Sequence, residues 1–192
     1  MYEKYPDIAV EVSLERGDLA IPKIAAGELD MYFGALPAEV PFAGLSAFPM
    51  MRLEVNFFAH QRHAIHKVKP AVMAKRIMDY PWAAFSTHDT VSGMVDEGLN
   101  QRGFRPHKLS YGLDSISALA KLGQNTDCII VAANAVKKSF AAYGLIPVNH
   151  APTNVPFDTG IVCRSSFTHF EPVAEIIRVT RESCASNFDI RP

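Results

Sequence analysis

Short apolar runs alternate with stretches of helical periodicity along almost the whole chain, and this alternation limits the fold more than any other feature of the sequence. Strand–helix–strand order of this kind builds an α/β sheet with right-handed crossovers between parallel strands. Residues 8–14 alternate apolar and polar positions as a strand does. Asp18 can cap a following helix that tolerates Pro22 and stops at Gly27. Residues 29–34 read as a strand that is apolar on both faces after Asp30, the pattern of an interior parallel strand. Further strands are expected at 53–59, 82–85, 108–112, 128–131, 145–148 and 158–163. Helices are expected over 71–79, 91–101, 115–122 with a stop at Gly123, 136–142 and 170–183.

Composition narrows the class. The chain has 192 residues, 48% of them apolar and 20% charged, which excludes disordered, collagen-like and coiled-coil readings. A chain of this size buries roughly 70% of its unfolded surface, enough for one sizeable core or two small lobes. Nineteen Lys and Arg against 20 Asp and Glu leave a net charge of -1, so there is no overall basic surplus for nucleic-acid affinity. Three cysteines, Cys128, Cys163 and Cys184, show no C-x-x-C spacing and read as reduced, partly buried thiols. The first residues are polar and no apolar run approaches the ~20 residues of a membrane helix. The expectation is a cytoplasmic protein with no membrane partner.

The most conspicuous spacing is His60-x-x-His63-x-x-His66, two of whose imidazoles could share a helical face and bind zinc. No Asp, Glu or Cys lies between Glu54 and Asp79 to complete a shell, and Arg62, Lys67, Lys69, Lys75 and Arg76 crowd the segment with positive charge. A solvated basic loop is the favoured reading, with a metal-dependent enzyme using the three histidines as the alternative. The segment also lacks the interleaved aromatics of a nucleic-acid surface. Signatures of hydrolases and of phosphate-binding loops are absent.

Three polar loops follow strand ends: Glu15-Arg16-Gly17-Asp18, Phe85-Ser86-Thr87-His88-Asp89-Thr90 and Leu113-Asp114-Ser115. In open parallel sheets ligands bind at the carboxyl ends of strands, where helix N-termini aim backbone N–H groups outward. Hydroxyls and free amides there suit a carboxylate or another small anion. Helix capping alone explains the same residues.

The stretch Tyr5-Pro6-Asp7-Ile8-Ala9-Val10-Glu11-Val12, followed by Ala26-Gly27-Glu28-Leu29-Asp30-Met31-Tyr32-Phe33-Gly34, resembles the effector-binding domain of LysR-type transcriptional regulators. Leu53-Glu54-Val55 to His63-Ala64-Ile65, Pro81-Trp82, Gly103-Phe104-Arg105-Pro106 and Tyr143 to Val148 follow in that family's order, with Ala64 in place of a proline. The resemblance implies an α/β fold of the type-2 periplasmic-binding-protein kind, with two Rossmann-like lobes joined by crossover strands at 53–59 and 157–163. Lobe I would hold 1–52 plus 157–192 and lobe II 53–156, with a small effector between them. Arg16 would meet the charge of an anionic effector such as a carboxylate or aromatic acid, and Gly17 would permit close backbone approach. Ser86, Thr87 and Asp114 would orient it, with Phe85, His88 and Ser115 in the same loops.

No catalysis, cofactor or metal is implied, and a homodimer or higher homo-oligomer is. A stand-alone solute-binding receptor of the same fold is the alternative. The sequence departs from the family at 123–132, where a glycine-rich turn and Leu-Pro are replaced. The family also places a strand and a helix before Tyr5, and a helix-turn-helix domain further upstream through which DNA would be bound. The expectation is that these 192 residues contain only the tail of that helix, in Met1–Lys4.

Overall fold

The computed structural model describes residues 4–37, 39, 42–85, 90–101, 103, 109–152 and 155–187. The chain divides into two compact units, one of Met1–Arg52 with Phe157–Pro192 and the other of Leu53–Pro156. Two long strands, β2 (Leu45–His60) and β7 (Val155–Arg164), each contribute residues to both units. The near-zero net charge conceals a division between the units. Lys and Arg outnumber Asp and Glu 11 to 7 in residues 53–156, and are outnumbered 8 to 13 in the other unit.

The first unit contains α1 (Gly17–Ala26), β1 (Met31–Ala35) and α6 (Glu171–Asn187). β1 pairs antiparallel with β7, from Met31 opposite Cys163 to Ala35 opposite Thr159, and is an end strand of the sheet. Met50, Ile161, Cys163, Val173, Ile177 and Cys184 form a buried cluster that joins the sheet to α6. Burial of the Cys163 and Cys184 thiols pushes both up from the ordinary thiol range, which favours the neutral form that packs in this cluster. α1 buries Ala20, Ile21 and Ile24 and ends at Gly27, whose φ of 81° is the left-handed conformation a helix terminus needs. The Glu28 N–H returns to the Lys23 carbonyl at 2.9 Å, closing the turn.

The second unit contains α2 (Pro70–Arg76), β3 (Trp82–Phe85), α3 (Thr90–Asn100), β4 (Tyr111–Leu113), α4 (Ile116–Asn125), β5 (Ile129–Ala133), α5 (Lys137–Ala141) and β6 (Leu145–Pro147). β3 lies between β5 and β4 and is parallel to both, while β2 pairs antiparallel with β5 and β6. Phe58, Leu119, Ile130, Phe140 and Leu145 are fully or almost fully buried in one cluster with Ala83, Ala120 and Cys128. Trp82 packs edge-on to Phe57 at 4.8 Å between centroids, and its indole N–H donates to the Ile77 carbonyl at 3.0 Å. Truncation to Ala would cost about 3–5 kcal/mol at Trp82, Phe58 or Phe140 and about 2–5 kcal/mol at Leu119, Ile130 or Leu145.

Several expectations change. Residues 8–14 form no strand, because among the described residues no neighbouring strand pairs with them. β1 is an antiparallel end strand and not a parallel interior one. α4 continues through Gly123, which is buried: a Cβ there would lie 2.7 Å from the Ile130 side chain, so this glycine allows close helix–sheet packing instead of stopping the helix. The segment 136–142 splits into a 3-10 turn and the five-residue α5. Of the strand expected at 108–112, Lys108 lies outside the described residues and the remainder shifts to Tyr111–Leu113. Among the described residues no helix is long and apolar enough to cross a membrane.

Candidate functional site

In the first unit the candidate loop ends at the start of α1. Arg16 is the N-cap residue in extended conformation, with φ −76° and ψ 144°, and no side chain caps the helix. The Arg16 guanidinium instead grips Asp18 in the first turn: Nε donates to Oδ1 at 3.0 Å and Nη2 to Oδ2. That hydrogen bonding holds the Asp18 carboxyl below the usual carboxylate range. Glu15 is held down in the same way by the Lys23 ammonium. The cation expected to meet an anionic ligand is therefore already engaged by a neighbour.

Gly17, the first residue of α1, is buried, and the reason is Tyr32. A Cβ on Gly17 would lie 2.8 Å from the Tyr32 hydroxyl, and a Cβ on Gly34 would lie 2.1 Å from it. The ring thus lies against both glycines, with its hydroxyl at the N-terminal end of α1. Sequence reasoning missed Tyr32, because within an apolar run it reads only as strand filler.

In the second unit the parallel register sets the geometry. Phe85 pairs with Leu113 and Ala84 with Val131, so the chain leaves β3, β4 and β5 at the same end of the sheet. Phe85 and Leu113 are partly buried against the core cluster. Asp114 is exposed, and Ser115 is the N-cap of α4, with its Oγ accepting from the Ala118 N–H at 3.3 Å. Asn134 follows β5 at the same end, and its Oδ1 accepts from the Glu54 N–H at 3.3 Å. No local pattern singles Asn134 out in the sequence; parallel pairing alone brings it here. Ser86, Thr87 and His88 lie outside the described residues.

The histidine spacing does not make a metal site. His63 is buried, with Nδ1 accepting from the Ile65 N–H at 3.0 Å and Nε2 at 3.3 Å from the Asp127 carbonyl. His60 Nδ1 accepts from the Arg62 N–H at 3.3 Å, and His66 Nε2 lies 3.4 Å from the Ala59 carbonyl. The three rings close backbone turns after β2, and among the described residues no group of three His, Cys, Asp or Glu is placed to hold a metal ion.

A family model, "LysR substrate binding domain", matches residues 1–185, and the chain belongs to that family. Among solved structures, a transcriptional regulator from Vibrio parahaemolyticus is 16% identical with a TM-score of 0.77, over 96% of this chain and 84% of that one. The effector binding domain of QuiR in complex with shikimate is 14% identical with a TM-score of 0.71, over 97% and 86%. A probable transcriptional regulator, PA0477 from Pseudomonas aeruginosa, is 19% identical with a TM-score of 0.74. The alignment covers 99% of this chain and 60% of that one, so the 192 residues span less than two thirds of that chain. These similarities establish the shared fold. No curated protein matches the sequence significantly.

Proposed function

We propose that this chain is the metabolite-sensing part of a cytoplasmic, homodimeric transcriptional regulator, and that it binds a small anionic effector without transforming it. The observation that carries the reading is the register of Phe85 with Leu113. It sends the polar segment Asp114-Ser115 and the N-terminus of the ten-residue α4 out of the carboxyl end of parallel strands, where anionic ligands are met by backbone N–H groups. Membership of the LysR substrate binding domain family supports it, as does shikimate, a small carboxylate, in the domain of QuiR.

In this reading the effector's carboxylate takes the Arg16 guanidinium from Asp18, with the Tyr32 hydroxyl beside Gly17 as a further donor. In the second unit Phe85, Asp114 and Ser115, at the carboxyl ends of β3 and β4, offer an apolar wall and polar groups of the kind such an effector requires. The effector shifts the regulator between states only by its difference in affinity for them, about 5.5 kcal/mol for a complete switch from 1:99 to 99:1. A DNA-binding segment attached to the domain converts that shift into transcriptional control. A thermal-shift screen of small carboxylates and aromatic acids tests the proposal. At least one compound should raise the unfolding midpoint progressively with concentration, and a panel with no stabilising member would contradict it.

A further inference from the structure

The second unit carries a basic surface away from the candidate loops. Those loops leave the carboxyl ends of β3 and β4, whereas α2 and the turn before it lie at the amino ends of β3 and β5. His63 reaches the carbonyl of Asp127, just before β5, and Trp82, which opens β3, donates to the Ile77 carbonyl just after α2. Arg62, Lys67, Lys69, Lys75 and Arg76 are all exposed, and no Asp or Glu occurs between residues 62 and 76. Asp79 takes up Arg76 at 2.7 Å. Among the described residues no carboxylate pairs with Arg62, Lys67, Lys69 or Lys75.

Charge is only half of this surface. Met73 on α2 and Ile77 just beyond it are buried, and this leaves Val72 turned outward, 47% exposed. Lys75 and Arg76 follow Val72 by three and four residues and so neighbour it on the helix surface, while Lys69 stands three before it at the N-cap. An apolar centre within a charged rim is the anatomy of a protein–protein contact. A phosphate backbone would neutralise the cations but give the valine nothing apolar to pack on, and residues 62–76 contain no Phe, Tyr or Trp on which a base could stack. Charge complementarity thus selects an acidic partner, and Val72 selects one with apolar side chains. A seven-residue helix, about 10 Å long, suits a short segment and a weak, transient contact.

We infer that α2 and the turn leading into it form a docking surface for an acidic protein segment that carries apolar side chains. Fluorescence anisotropy of the 192-residue chain with a short labelled peptide of Glu-Glu-Leu repeats tests it, beside the same peptide with Ser in place of Leu and a random-sequence DNA duplex. Val72→Gln and Lys69→Glu alter the surface. Gln is a good helix former and a carboxylate suits a helix N-terminus, so circular dichroism should be unchanged. Lys138→Glu, at an exposed site on α5, makes the same charge change elsewhere in the unit. The Leu-bearing peptide should bind more tightly than the Ser-bearing one, and Val72→Gln and Lys69→Glu should each weaken it about fivefold or more, with Lys138→Glu without effect. No binding, or binding weakened as much by Lys138→Glu, would overturn the docking surface. Tighter binding of the duplex, lost in Lys69→Glu, would assign the surface to nucleic acid, and self-association lost in that variant by sedimentation velocity would assign it to a second copy. Either result would overturn the acidic segment as its occupant.

Discussion

Gly34 and Gly160 stand directly opposite each other across the β1–β7 ladder, and each is a glycine for a different reason. A Cβ on Gly160 would lie 2.2 Å from the Phe48 carbonyl oxygen, a main-chain atom of the neighbouring strand. A Cβ on Gly34 would meet the Tyr32 ring, which can swing away at the expense of its place against α1. Gly160→Ala is therefore expected to destabilise the protein by about 2–3 kcal/mol, near the upper end for overpacking. Gly34→Ala should cost about 1 kcal/mol, partly offset by the lower entropy of the unfolded chain. Urea unfolding of the two variants checks the order, and equal losses would show that Phe48 does not set the constraint.

Arg164 fastens the end of α1 to the sheet. Its Nη1 donates to the carbonyls of Ile24 and Leu29 at 2.9 Å each, and its Nη2 donates to Asp30 Oδ1 at 2.9 Å. The guanidinium also stacks 4.1 Å from the Phe167 ring centroid. Arg164→Met leaves two carbonyls without that donor and should cost about 2–3 kcal/mol. Asp30→Asn should cost under about 1 kcal/mol, because the Asp30 side chain is 74% exposed and water screens the pair. Chemical unfolding followed by circular dichroism distinguishes the two.

The core could be read from apolar runs, since residues such as Ile129, Ile130 and Val131 admit no surface position. The misreadings share a cause. Alternation in residues 8–14 states a preference for a half-buried strand, but a ladder needs a neighbour that local pattern cannot supply. Gly123 looked like a helix stop because sequence shows its missing side chain and not the Ile130 side chain that fills the space. Arg16, Gly17, Phe85, Asp114 and Ser115 could be listed from loop chemistry. Tyr32 and Asn134 could not, because strand register and packing place them. The grip of Asp18 on Arg16 was equally hidden, since two residues of separation say nothing about side-chain direction.

His66 gives the second unit a pH dependence. Burial is the main cause of its lowered pKa, opposed in part by the Ala59 carbonyl. Folding thus favours the neutral ring. The stability this contributes is fully present above the ordinary value of 6.5 and is lost as pH falls through the lower folded value. Trp82, the single tryptophan, is buried in the same unit and reports its unfolding by fluorescence. The urea midpoint should fall between about pH 7.5 and about pH 5, and His66→Gln should flatten that change. A slope identical in the variant would assign the dependence to other groups.

If Arg16 meets an anionic effector as proposed, Asp18 is its competitor, because it already holds the Arg16 guanidinium. Asp18→Asn removes the competing charge and should tighten binding of an anionic effector about threefold, while Arg16→Gln should weaken it about tenfold. Opposite signs in these two variants separate a ligand contact at Arg16 from a purely structural pair, for which both would destabilise the protein and leave affinity unchanged.

Calorimetric titration with shikimate and with simple hydroxylated and aromatic carboxylates tests the proposed sensing function most directly. Saturable binding of one ligand per chain by at least one of them, weakened in Arg16→Gln, is the predicted result. Flat titrations across the whole set, in protein whose Trp82 fluorescence shows it folded, would contradict it.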